Sequence, residues 1–103
     1  MASAWLVVRA TVANAADRAG FDAWYSAEHL PDAMKAFGVA TAWRGWSEQD
    51  TSVHCAHYRF ESPERLDAVM AGPEIRALIA EFDRCWPTVV RTRETFAVAD
   101  GVG

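Results

Sequence analysis

Cysteine is scarce, with only Cys55 and Cys85 among 103 residues. Neither belongs to a C-x-x-C pair or a Cys/His set at zinc spacing, which excludes zinc-finger and thioredoxin-like chemistry. Both are expected as buried free thiols, because an unpaired cysteine behaves as a small hydrophobe. Basic residues are also in deficit, 10 against 14 acidic ones, for a net charge of −4. Phosphate recognition needs a basic field, so neither nucleic acid nor an anionic membrane is an expected partner. Long apolar runs are missing. Arg9 interrupts the first one, no basic leader precedes it, and nothing approaches the roughly 18 residues of a membrane span. The expected location is the cytoplasm. There is no glycine-rich phosphate loop, no G-x-S-x-G and no Cys–His nucleophile signature.

Aromatic residues, by contrast, are plentiful: five Trp, five Phe and two Tyr. A chain of this length is expected to form one domain over residues 1–103. So much aromatic area exceeds the needs of one small core, which points to a buried interface or a pocket.

The segment "AWLVVRATV" is rich in β-branched and aromatic residues and reads as a strand over about 4–12. Leu6 and Val8 share one face, Trp5 and Val7 the other, so both faces should be covered. A helix is expected over about 15–37, with Phe21, Trp24, Tyr25, Glu28 and His29 on one stripe. Pro31 lacks an N–H and disfavours the α region at Leu30, so a kink or restart is expected there. Strands follow over about 39–48 and 52–61, joined by a polar turn. In the second of these, His54, Ala56, Tyr58 and Phe60 alternate with Val53, Cys55, His57 and Arg59. "SPE" at 62–64 is a helix start, with Ser62 as N-cap and Pro63 at the first position. Helices are expected over about 63–71 and 74–86, and a last strand over about 88–98.

This order, β-α-β-β-α-β, is the ferredoxin-like arrangement: an α+β fold with a four-stranded antiparallel sheet and helices on one face. The other face would stay open, yet it too carries Trp, Val and Phe. A second copy packed against that open sheet face would bury it, which predicts a homodimer.

The opening strand, then "F-x-x-W-Y-x-x-E-H-x-P" at Phe21, Trp24, Tyr25, Glu28, His29 and Pro31, and the later "SPE" helix start resemble the dimeric α+β barrel superfamily, closest to its small bacterial members around the EthD-like group. The resemblance spans nearly the whole chain. It implies a homodimer with a pocket in each subunit between helices and sheet. The superfamily holds cofactor-free monooxygenases, isomerases, polyketide cyclases and haem-degrading enzymes, so fold alone does not select an activity. The Asn-Trp-His set of the haem-degrading relatives is not evident, and no cofactor is expected.

His29 is the leading catalytic candidate, since an imidazole can exchange a proton near neutral pH. Glu28 could orient it or act as a base if desolvated. The alternatives are a His29 ring that caps the carbonyl freed by Pro31, and a Glu28 that faces solvent or pairs with an arginine. Trp24, Tyr25, Trp43 and Tyr58 are candidate substrate-binding residues, against a packing role for each. His54 and His57 point to opposite sheet faces, so no metal site is expected from them. Arg9, Arg44, Arg59, Arg91 and Arg93 lie on strands; most should sit near edges or pair with acids such as Glu94, and one could hold a substrate carboxylate in a bidentate contact. The expected function is a small cofactor-independent enzyme using acid/base chemistry on an aromatic or polyketide-like molecule, as cyclase, isomerase or monooxygenase. The alternative is a non-catalytic homodimer, stress-related or binding a small apolar or aromatic ligand.

Overall fold

A computed structural model describes residues 3–101. Its four strands are β1 (Ala4–Thr11), β2 (Ala42–Trp46), β3 (Val53–Phe60) and β4 (Val90–Ala97). They form one antiparallel sheet in the order β2-β3-β1-β4. Between β1 and β2 run α1 (Arg18–Trp24), a π turn (Tyr25–His29) and α2 (Leu30–Phe37). Between β3 and β4 run α3 (Pro63–Met70) and α4 (Pro73–Cys85). This is the α+β, ferredoxin-like arrangement read from the sequence.

The ladder register sorts the strand residues into two faces. Tyr58, Leu6 and Thr95 lie side by side, as do Ala56, Val8 and Arg93, and His54, Ala10 and Arg91. These rows face the helices. Trp43, His57, Val7 and Glu94 form a row on the open face, next to Arg59, Trp5 and Phe96. The helix-facing row of β3 is fully buried, and Leu6 and Ala10 join it in the core with Phe21, Tyr25, Phe37, Leu66, Ile75 and Phe82. The helices do not reach across β4, whose residues are exposed except for the half-buried Arg91.

The helix over Pro31 does not break. Leu30 keeps α dihedrals (φ −62°, ψ −49°), and the helix continues to Phe37. The chain widens one turn earlier instead: the Leu30 N–H bonds the carbonyl of Tyr25, five residues back. A π turn of this kind changes hydrogen-bond spacing without leaving the helical region, which accommodates a proline that has no N–H to give. It has a second effect. A π turn takes more residues per revolution than an α turn, so Tyr25 and His29, four apart, drift less around the axis and stay on one face. Gly38 ends α2 in the left-handed region (φ 67°), where glycine carries no Cβ penalty.

At the start of α3 the Ser62 hydroxyl accepts from the Arg65 N–H, with Pro63 at the first helical position. The β2 ladder covers Ala42–Trp46, shorter than the segment read as strand. Cys55 and Cys85 are both free and half-buried. Among the described residues no helix is long and apolar enough to cross a membrane.

Candidate functional site

His29 is 8% exposed and lies inside the molecule. Its ring stacks on Trp24 (centroids 4.7 Å apart, planes at 22°), with the edges of Tyr25 and Phe82 closing two further sides at 4.9 and 5.5 Å. No hydrogen bond to either ring nitrogen is formed by the described residues, so the ring does not cap a carbonyl. Burial first, and then the nearby Arg91 guanidinium, disfavour the imidazolium and lower its pKa to about 4. The sequence suggested a group poised near neutrality; desolvation makes it a firmly neutral imidazole instead.

Glu28, next in the chain, is exposed. Its expected orienting role is not realised here: the carboxylates that favour a charged His29 are those of Asp32 and Glu81.

Tyr25 and Tyr58 meet at the floor of the site. Each is 2% exposed, and their hydroxyl oxygens are 2.8 Å apart. Burial pushes the Tyr25 phenol up to about 12, and burial together with its tyrosine partner pushes Tyr58 higher still. Both stay neutral at any physiological pH. A cavity of about 30 Å³ lies against this pair and His29, bounded also by Leu6 and Val8 on β1, Ile75, Leu78, Ile79 and Phe82 on α4, and Arg91 and Arg93 on β4. That volume accommodates roughly one water molecule.

The two arginines at the β4 side differ. Arg91 is committed: it pairs with Asp83 and lies 3.8 Å above the Phe82 ring. Arg93, exposed at the edge of the cavity, makes no ion pair among the described residues, and desolvation by its neighbours and the adjacent Arg91 disfavour its charge. The sequence reading named both only within a set of five strand arginines, one of which could hold a substrate carboxylate. The register with β1 puts Arg91 and Arg93 together on the helix-facing side of β4, and nothing in the chain indicated that this face lines a cavity.

A polar network supports Tyr25 from behind. Arg44 Nη1 donates to Asp22 Oδ1 at 2.8 Å, and Trp46 Nε1 donates to the same oxygen at 2.8 Å. Both bonds hold the Asp22 carboxyl below its usual pKa. Arg44 Nη1 also stands 3.3 Å from His54 Nε2. Arginine only donates, so His54 Nε2 is the acceptor and the ring is neutral with its proton on Nδ1. His54 is 1% exposed, and burial lowers its pKa to about 4.

Of the residues singled out from sequence, His29, Trp24, Tyr25 and Tyr58 come together. Trp43 does not. It is 50% exposed on the open sheet face, stacked on His57 at 3.8 Å with the rings nearly parallel. That stack, with Trp5, Val7, Arg9 and Phe96, forms a shallow basin of about 380 Å³. A third depression, about 440 Å³, lies at the other end of the sheet beside Gly38, Thr41, Arg59 and Arg65. There Arg65 donates to the Phe37 carbonyl at the end of α2, a helix-capping contact. No cluster of three metal-ligating side chains occurs among the described residues.

No protein-family model matches the sequence, and no curated protein sequence matches it. Solved structures do. An EthD-family protein from Bacillus halodurans superposes with a TM-score of 0.67 at 16% identity, covering 89% of this chain and 96% of that one. SnoaB, a cofactor-independent oxygenase from Streptomyces nogalater, superposes with a TM-score of 0.68 at 11% identity, over 99% and 98% of the two chains. At such identities the likeness bears on the fold. The chain has the ferredoxin-like fold of the dimeric α+β barrel proteins.

Proposed function

We propose that this protein is a small cofactor-independent enzyme that moves a proton on an aromatic or polyketide-like molecule, in a cyclase, isomerase or oxygenase reaction. The observation that carries this reading is His29: a buried, neutral imidazole without a hydrogen-bond partner among the described residues, at a cavity walled by two phenols, Phe82 and aliphatic side chains. A neutral imidazole accepts a proton, so His29 acts first as the base. Once protonated beside Arg91 in an apolar wall it is a strong acid, and it returns the proton readily. Trp24 holds the ring plane, and Tyr25 and Tyr58 contact the substrate. SnoaB, described as a cofactor-independent oxygenase on this fold, adds support by analogy.

The test is turnover of a panel of enolisable aromatic ketones and polyketide-like phenols, followed by absorption and dioxygen uptake. His29→Gln should lower kcat/KM by about 10²–10⁴-fold with an unchanged thermal melt. Because the base form must be neutral, kcat/KM should hold level from neutrality downward and fall as pH drops through about 4. A variant that turns over at the native rate would refute the reading.

The partner we propose is a second copy. Trp43, Phe96 and Val90 stand 50%, 43% and 68% exposed on the open sheet face, beside Trp5 and Val7. Apolar area of this kind on one flat surface favours self-association. Sedimentation at micromolar concentration should give twice the 11.4 kDa chain mass, and Phe96→Glu should shift it toward one. A native monomer would end this proposal.

The same basin favours a second reading, a non-catalytic homodimer that encloses a small apolar molecule between its sheets. In that case His29→Gln would leave ligand affinity intact, whereas Trp43→Ala would weaken it.

A further inference from the structure

The tyrosine pair has one proton more than it uses. Two phenols carry two O–H groups, and the contact between Tyr25 and Tyr58 consumes one of them. Whichever hydroxyl donates, the other keeps an O–H that no other described residue accepts. Both side chains are 2% exposed, so bulk water does not solvate it freely. Buried donors are almost always satisfied. The space both hydroxyls border is the cavity of about 30 Å³, large enough for one oxygen atom and its hydrogens. The remaining walls are aliphatic or aromatic except for His29 and the two arginines, and His29 is neutral. Of the arginines, Arg91 is neutralised by Asp83. Arg93 has no ion-paired acid among the described residues, so their charges leave the cavity lining net positive in a protein whose overall charge is −4.

We infer that this cavity is an oxyanion receptor, in which the surplus Tyr25/Tyr58 proton and the Arg93 guanidinium hold the ionised oxygen of an enol or phenol. This deepens the proposed function and rests on the same site: it names the substrate class as molecules that can present an enolate or phenolate oxygen. A phenol that itself accepts a hydrogen bond is a better donor, because hydrogen bonds in a chain polarise one another. The paired arrangement therefore suits an anion better than a lone tyrosine does. Only the oxygen end of the ligand fits the cavity. Its ring extends outward along α4 and β4, past Leu78, Ile79 and Arg93. Between turnovers a water occupies the oxygen position.

The preference is measurable without knowing the substrate. 4-Nitrophenol reports its own ionisation by absorption. Titrated with the native protein at the pH where the free probe is half ionised, the bound fraction should shift toward phenolate by about tenfold or more. Arg93→Gln should diminish that shift. Tyr58→Phe should keep part of it, since Tyr25 then has its own proton free. The double variant Tyr25→Phe/Tyr58→Phe should abolish the tyrosine contribution, and with Arg93→Gln added, all of it. Replacing both hydroxyls of a pair leaves no orphan, so the double variant should fold. Equal binding of phenol and phenolate, no binding at millimolar probe, or a full shift in the double variant would each overturn the inference. His29→Gln separates it from the catalytic proposal: the phenolate shift should survive while turnover is lost. A surviving shift with native turnover would instead sink the role of His29 and leave the receptor standing.

Discussion

Between pH 7 and pH 5 the folded protein should lose about 3–4 kcal/mol of stability. The cause is a pair of buried neutral histidines. His29 and His54, 8% and 1% exposed, both have pKa values lowered to about 4, mainly by desolvation. In the unfolded chain each returns to its ordinary value near 6.5. As pH falls below about 6.5 the unfolded state takes up protons that the folded state refuses, so stability is lost on the acid side. The loss grows down to about pH 4 and then levels for these groups. A full shift of this size is worth about 3 kcal/mol per group. At pH 5 a little over half of it is expressed, and the two together give the figure above. Urea denaturation at fixed protein concentration, in half-unit pH steps, would show it. His54→Gln should roughly halve the slope between pH 7 and pH 5, whatever it does to the absolute value. A stability that is level across that range would mean that both rings find protons acceptable where they lie.

The histidine burial that drives this effect illustrates what the chain discloses and what it withholds. Strand alternation alone put His54 with Ala56, Tyr58 and Phe60, and all four share the buried face. The "SPE" start was legible because capping is local, acting over three residues. The ferredoxin-like order was legible because each element has its own period and punctuation. Proline grammar was misleading at Pro31: a break and a π turn both relieve the missing N–H, and the choice depends on packing that no local rule contains. Alternation along residues 39–48 sets Trp43 and Trp46 on opposite faces without saying which one faces the helices. The register with β3 decides that, placing Trp43 opposite His57 and Trp46 opposite His54. The tyrosine pair lies 33 residues apart in sequence and depends on how the helix seats on the sheet. Arg93 was legible as a strand arginine needing an acid. That it finds none among the described residues, and that its face borders a cavity, emerges only because the helices stop short of β4.

Phe21→Ala should destabilise the fold by about 4 kcal/mol, a large part of what a 103-residue domain commonly has. Phe21 is wholly buried, and its ring meets six others: His54 at 5.2 Å, Trp86 at 5.4 Å, Tyr25 at 5.7 Å, Trp46 and Phe82 at 5.8 Å, and Trp24 at 6.1 Å. Most of these contacts are tilted or edge-to-face, the arrangement that aromatic quadrupoles favour. Truncation removes the ring's transfer energy and leaves a cavity among rigid neighbours that cannot collapse into it. Equilibrium denaturation with an unchanged m-value measures the cost; a loss under about 1 kcal/mol would mean that the cluster repacks. Phe21→Leu, closer in volume, should cost about 1–1.5 kcal/mol and stay folded. That milder variant connects packing to the site. Trp24, which stacks on His29, and Tyr25, which bears the paired hydroxyl, both lean on Phe21. Loosening that support admits water beside His29 and relieves its desolvation. Its pKa, followed by NMR of the imidazole protons, should therefore rise from about 4 toward the ordinary histidine value in Phe21→Leu. An unmoved pKa in a destabilised variant would show that the cavity keeps His29 dry independently of the aromatic cluster behind it.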